Sequence, residues 1–287
     1  MRRARTLAAC GAAALLACAC AATAPTQNKT EQQAAALNQR AARAFEQGDF
    51  PRATALYEQA LRLNAGVEDS EGIAVNALSL ARAYQAGGDT AAAHRVLDGL
   101  LSDGPLPLPP AQRAEAQARK AQLYLDANDA ASAREWSDKA LATCATCAAL
   151  PAIQTLRGRA ALAAADYGAA LDWANRALAA IGASSESGPG SGKAGERANA
   201  HRLAGEARLA RGEHQAALAT LEQALALDRG LGLPGRIFLD LMALGRVQLA
   251  MGNRTAARDY FVRARSVGAA ASDEAGERAA SRAIEGL

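Results

Sequence analysis

The stretch GEARLARGEHQAALATLEQA, residues 205–224, decides the fold. Gly205 is followed seven positions later by Gly212, and then by Ala217, Leu221 and Ala224 at steps of five, nine and twelve from Gly212. Intervals of three and four return to one face of a helix, so these last three residues share a face. Gly212 tolerates the left-handed backbone that ends the helix before it. Small residues on both helices let the axes approach, and Leu221 fills the gap that remains. The stretch spells an antiparallel helix pair.

The same word recurs six times. It reads Gly48, Ala53, Tyr57, Ala60; then Gly88, Ala93, Leu97, Leu100; then Asn128, Ala133, Ser137, Ala140. It continues as Ala165, Ala170, Ala174, Ala177; as Gly212, Ala217, Leu221, Ala224; and as Gly252, Ala257, Phe261, Ala264. Seven residues before each anchor stand Ala41, Ala81, Ala121, Gly158, Gly205 and Gly245. Of the eighteen positions that the pattern reserves for Ala or Gly, only Leu100 departs. One such pair cannot bury its apolar face alone, but a stack of them makes a continuous core, which is a solenoid. Composition agrees: alanine exceeds a quarter of the 287 residues and aromatics are only 4%, too few to fill a thick β core.

The pattern resembles the tetratricopeptide repeat over about residues 34–271. The resemblance implies an all-α fold: a right-handed superhelical solenoid of about six helix pairs with a C-terminal capping helix. The anchors are spaced 40, 40, 37, 47 and 40 apart, more than the family's usual ~34. The family's bulky first-helix position falls on a mixed set, Leu37, Ala77, Gln117, Gln154, His201 and Leu241, and only Pro105 matches its turn proline. Repeats one to four occupy 31–181 and repeats five and six 196–271, separated by a Gly/Ser-rich insert at 182–195 with Pro189, expected to be mobile. In the segment 272–287, Ser272 can N-cap a last helix, with Ala275, Ala279 and Ile284 covering the open end.

Residues 1–17 begin with Arg2, Arg3 and Arg5, continue as an uncharged Ala/Leu run and end in small residues, the layout of an export signal. Leu15-Leu16-Ala17-Cys18 resembles the lipobox of bacterial lipoproteins, which implies lipidation of Cys18; residues 18–30 then read as a tether. Cleavage there removes three arginines and leaves 32 − 3 = 29 basic against 29 acidic residues, a formal net charge of zero. A nucleic-acid binder keeps a basic excess, so nucleic acid is not the expected partner. Ala19 follows Cys18 in place of the Asp that commonly retains lipoproteins at the inner membrane. The resemblance therefore implies an outer-membrane anchor facing the periplasm.

No catalytic, metal or cofactor site is expected. GPGSGKA (188–194) lacks the first glycine and the Ser/Thr of a phosphate loop and follows no strand. His94, His201 and His214 fall in separate repeats, leaving Cys144 and Cys147 without further zinc ligands. That C-x-x-C pair reads as a local disulfide in an oxidising compartment, with free thiols or a redox pair as alternatives. Trp136 and Trp173, next to packing positions, read as core or rim. By resemblance, first-helix positions two, five, nine and twelve line a concave groove, here with Asn38, Arg82, Gln85, Gln122, Arg159, Arg202, Glu206 and Arg246. Arg82, Arg159, Arg202 and Arg246 suggest a cationic stripe suited to an acidic segment or a free C-terminus. The expected function is a membrane-anchored, non-enzymatic scaffold for an envelope protein or peptide, with a thiol–disulfide protein or a peptide-binding sensor as alternatives.

Overall fold

The computed structural model describes residues 28–104, 106–183 and 192–287. These form thirteen helices and no strand among the described residues. The first pairs are α1 (Lys29–Glu46) with α2 (Phe50–Gly66), α3 (Ser70–Ala86) with α4 (Thr90–Leu101), and α5 (Pro110–Asp126) with α6 (Ala130–Thr143). The remaining pairs are α7 (Leu150–Ala163) with α8 (Tyr167–Ala183), α9 (Gly192–Ala210) with α10 (His214–Gly230), and α11 (Pro234–Ala250) with α12 (Arg254–Ala270). Helix α13 (Glu274–Glu285) packs on α12 and closes the stack. Each helix packs on its neighbours in sequence, as a solenoid requires. Among the described residues, no helix is long and apolar enough to cross a membrane.

One turn closes every pair. The six anchors all take positive φ: Gly48 77°, Gly88 87°, Asn128 59°, Ala165 58°, Gly212 78° and Gly252 81°. The next N–H donates to the carbonyl five residues back, as from Asp49 to Ala44 (2.9 Å), Asp129 to Tyr124 (2.8 Å) and Asn253 to Gln248 (2.9 Å). This is the long bond of a Schellman turn. Asp49, Asp89, Asp129 and Asp166 then cap the second helix, each accepting the N–H three residues on. Ala165 takes the left-handed backbone despite its Cβ, at a cost of about 1 kcal/mol.

The small positions let the helices touch. Ala53, Ala93, Ala133, Ala170, Ala217 and Ala257 are each 0% exposed, while Leu100, the one departure, is only half-buried. The knobs Tyr57, Leu97, Ser137, Ala174, Leu221 and Phe261 are buried in every repeat. A Cβ on Gly205 would lie 2.5 Å from Leu221 Cγ, and one on Gly245 would lie 2.3 Å from Phe261 Cε1. Glycine there is a requirement of close approach.

Repeats three and four add buried cations to their apolar packing. Lys120, 4% exposed, pairs with Asp98 of α4 and lies 4.2 Å over the Trp136 ring. Arg157 Nε donates to Asp138 at 2.6 Å, with its guanidinium 5.5 Å from the Trp173 ring. The tryptophans, half-buried, are platforms for these cations as well as packing surfaces.

Four sequence expectations need correction. Ser272 is not an N-cap: it takes φ 55° as the end of α12, and Asp273 caps α13 by accepting the Gly276 N–H at 2.9 Å. The covering face of α13 is accordingly Gly276 and Ala280, with Ala275 exposed and Ala279 and Ile284 half-buried. Helix α1 already includes Lys29 and Thr30, because Asn28 and Glu31 form a capping box. The insert is narrower than 182–195, since Gly182 ends within α8 and Gly192–Gly195 open α9. Residues 184–191 with Pro189, residues 1–27 with Cys18, and Pro105 lie outside the described residues.

Candidate partner groove

The first helices α1, α3, α5, α7, α9 and α11 stand side by side, so equivalent positions on successive helices meet. Asn38 Nδ2 donates to Asn76 Oδ1 at 2.7 Å, and Asn76 Nδ2 turns back to the Gly72 carbonyl at 2.9 Å. Gln85 of α3 donates to Asp126 of α5, whose other oxygen accepts from Gln122 at 2.6 Å. Gln122 Oε1 in turn accepts from Arg159 Nη1 at 2.7 Å. Further along, Arg246 Nη2 reaches Glu206 Oε1 at 3.3 Å. The sequence-derived groove residues thus meet in short polar chains that cross from repeat to repeat.

Charge is unevenly spread along this face. Arg82 stacks 4.4 Å over the Phe45 ring, and no carboxylate lies within ion-pair distance of it among the described residues. Arg119 of α5, half-buried, is likewise without an ion pair. Burial lowers its pKa first, and the Arg82 charge lowers it further. Arg159 is exposed and, among the described residues, donates a hydrogen bond only to the neutral Gln122.

Arg202 departs from the cationic stripe that the sequence suggests. Its side chain is only 12% exposed and bridges two fully buried acids, Asp228 of α10 and Asp240 of α11, the latter at 2.6 Å. Nη1 also donates to Asn199 at 3.1 Å. Two acids against one arginine leave Asp228 Oδ1 and Asp240 Oδ2 without a hydrogen bond, although Arg236 Nη1 approaches Asp228 at 3.9 Å. Desolvation raises the Asp240 pKa to about 6; Arg202 opposes the shift and Asp228 adds to it. Burial raises nearby Glu196 in the same direction. Arg202 is therefore a structural bridge between repeats five and six.

Sequence reasoning missed Arg119, Asp228 and Asp240. Arg119 stands at a first-helix position to which the resemblance assigns no groove role, yet it is one turn from Gln122 on the same face. Asp228 was within reach: the 217, 221, 224 rhythm continues to 228, where a polar side chain falls on a packing face.

Cys144 and Cys147 are joined by a disulfide across the turn from α6 to α7, with Cα atoms 5.4 Å apart. Cys144 is 3% exposed and packs with Ala114, Ala140 and Ile153. Among the described residues, no group of three or more His, Cys, Asp or Glu side chains is placed to hold a metal ion.

No protein-family profile matches the chain, and no curated protein matches it. Solved structures do. The APC/C hetero-tetramer Cut9–Hcn1 superposes with a TM-score of 0.66 at 12% identity, over 88% of this chain and 42% of that one. This chain thus spans less than half the length of that relative. PilW, a widely conserved type IV pilus biogenesis factor, matches with a TM-score of 0.57 at 18% identity, over 88% of this chain and 99% of its own. A kinesin light chain with nearly identical TPR-like repeats, from Podosopora anserina, matches with a TM-score of 0.53 at 22% identity, over 70% and 97%. At these identities the likeness is one of architecture: the chain has the all-helical tetratricopeptide-type solenoid fold.

Proposed function

We propose that this chain is a non-enzymatic, lipid-anchored scaffold of the bacterial cell envelope, which holds a segment of a protein partner in its concave groove. The observation that carries the reading is the lane formed by Gln85, Gln122, Arg159, Glu206 and Arg246. These residues join across repeats without being buried, in two runs, Gln85 through Gln122 to Arg159 and Glu206 to Arg246, so polar side chains line the first helices of several repeats. The core beneath is closed by alanine and glycine contacts and needs nothing from them. Solenoids of this type bind along such extended surfaces, and PilW offers an assembly factor of the same architecture and similar length. Lipidation at Cys18, and with it the periplasmic face of the outer membrane, rests on the leader and the LLAC motif.

The thiol–disulfide alternative is less well supported. A redox cysteine is an accessible, low-pKa sulfur, and Cys144 is 3% exposed in an apolar cluster.

In-cell crosslinking tests the groove. Arg159→Glu with Arg246→Glu should lose the captured partner, while Arg258→Glu on α12 should keep it. Arg202 is left intact because its loss would disturb the fold. Equal capture by both variants would move binding off the groove. For the anchor, the mature protein should partition into detergent and Cys18→Ser should not; a wild-type protein that stays in the aqueous phase would remove lipidation from the proposal.

A further inference from the structure

We propose that the joint between repeats five and six is a proton-operated hinge, closed while Asp228 and Asp240 hold one proton between them and loosened when that proton leaves. The joint between repeats one and two is its uncharged counterpart, built on the same three positions. The hinge rests on these acids alone; only its effect on a bound partner rests on the groove reading above.

The two joints match position for position. The three places are ten residues before an anchor, sixteen after it and twelve before the next anchor. Between repeats one and two they hold Asn38, Asn64 and Asn76; between repeats five and six they hold Arg202, Asp228 and Asp240. These places meet in space, since between repeats three and four they hold Ala118, Cys144 and Ile153, which pack in one apolar cluster. The chain thus contains an amide version and a carboxylate version of one joint.

The amide version has no charge to lose. Asn38 donates to Asn76 at 2.7 Å, and Asn76 donates to the Gly72 carbonyl at 2.9 Å. The buried Asn64 side chain fills the space over Gly72. An amide carries donor and acceptor together and does not titrate. Asn64 Oδ1 is left over, but a neutral acceptor costs less to bury than a carboxylate.

The carboxylate version is short of donors. Ionised carboxylates only accept, and Arg202 reaches one oxygen of each acid, so Asp228 Oδ1 and Asp240 Oδ2 stay buried without a hydrogen bond. A proton on one acid supplies a donor and cancels one of two like charges. The surroundings do not replace it. On α9, Glu196 adds a third acid, and Asn199 already accepts from Arg202. His201, also on α9, has a pKa lowered first by burial and then by Arg197 and Arg208, so it supplies no compensating charge as pH rises. On α11, Arg236 Nη1 stays 3.9 Å from Asp228 Oδ1 and donates to the Gly195 carbonyl at 3.3 Å. No charged side chain of α12 pairs with either acid among the described residues.

Burial holds the Asp240 pKa up at about 6. Above that pH two buried charges press on one arginine, and water entering between α10 and α11 relieves them. The contact of Arg246 with Glu206, at 3.3 Å, crosses the same two repeats, so loosening the joint reaches the groove.

Hydrogen exchange of the full-length protein in detergent, read by mass spectrometry and corrected for intrinsic rates, tests this. Peptides covering residues 225–244 report on the charged joint, and those covering residues 61–80 on the amide joint. An Asp with a pKa of about 6 in the closed joint and ~3.9 in the open one makes opening about tenfold more frequent at about pH 7.5 than at about pH 5. Residues 61–80 should show no such change. Asp240→Asn should make residues 225–244 equally indifferent to pH, and Asp228→Asn, which also removes the acid pair, gives the same reading if Asp240→Asn does not fold. A flat wild-type response at residues 225–244, an equal response at residues 61–80, or an undiminished response in either folded Asn variant would overturn the proposal.

Discussion

The two ends of the groove handle the same residue type in opposite ways. At repeats two and three, Arg82 and Arg119 form no ion pair among the described residues, although Glu46 shares a cleft with Arg82 and Glu115 and Asp126 lie near Arg119. At repeats five and six, Arg202 is sealed between Asp228 and Asp240, both 0% exposed. A cation that the protein has already neutralised can only hold the protein together; a cation left unpaired can hold something else. Arginine in a groove position therefore says little until the acids around it are counted, and here those acids come from other helices.

The contrast breaks first at Arg202. Arg202→Leu strands two buried carboxylates, and urea unfolding should show a loss of about 3–5 kcal/mol. A loss below about 1 kcal/mol would mean that Arg202 is as free as Arg82, and the distinction between the ends would disappear.

The same cluster should respond to pH. Asp240 holds its proton up to about pH 6 in the folded protein, whereas an unfolded Asp releases it near ~3.9. The folded state thus binds the extra proton between those values. This contribution is fully present below the unfolded pKa and is lost as pH rises through about 6. Glu196 acts with the same sign. Melting temperatures of the wild type should fall across this window relative to those of Asp240→Asn; parallel curves would remove the buried acid as the cause.

The smallest effects sharpen the other side. Arg246→Ala breaks an exposed pair with Glu206 and should cost no more than about 1 kcal/mol. Arg82→Ala should stay within about 0.5 kcal/mol of wild type. A large loss of stability at Arg82 would make it a structural residue like Arg202.

How much of this was legible follows from what each feature depends on. The anchors were readable because a left-handed turn and a close helix contact are local demands, met by Gly, Asn or Ala at fixed spacing. Even Ala165, a poor left-handed residue, was placed by its neighbours in the pattern. Glu68 and Ser272 also take positive φ, at 55° each, but neither residue type advertises it, so these two junctions could not be read and α13 was set one residue off. The first-helix positions of the groove were legible from the repeat. Their electrostatics were not, because Asp228 and Asp240 sit on helices that meet Arg202 only after the stack has formed. Lys120 and Arg157 were hidden for the same reason: each looks like a surface cation until Asp98 and Trp136, or Asp138 and Trp173, are seen beside it.

The glycine at 245 carries a consequence for how such a repeat protein can diversify. Its missing methyl group is the space that the Phe261 ring occupies. A helix from repeats one to three, which carries alanine at this place, could not be substituted for α11 without displacing that ring. The copies are thus keyed in pairs rather than interchangeable. Duplication or recombination that carries α11 and α12 together preserves the fit, whereas a breakpoint in the turn at Gly252 separates lock from key.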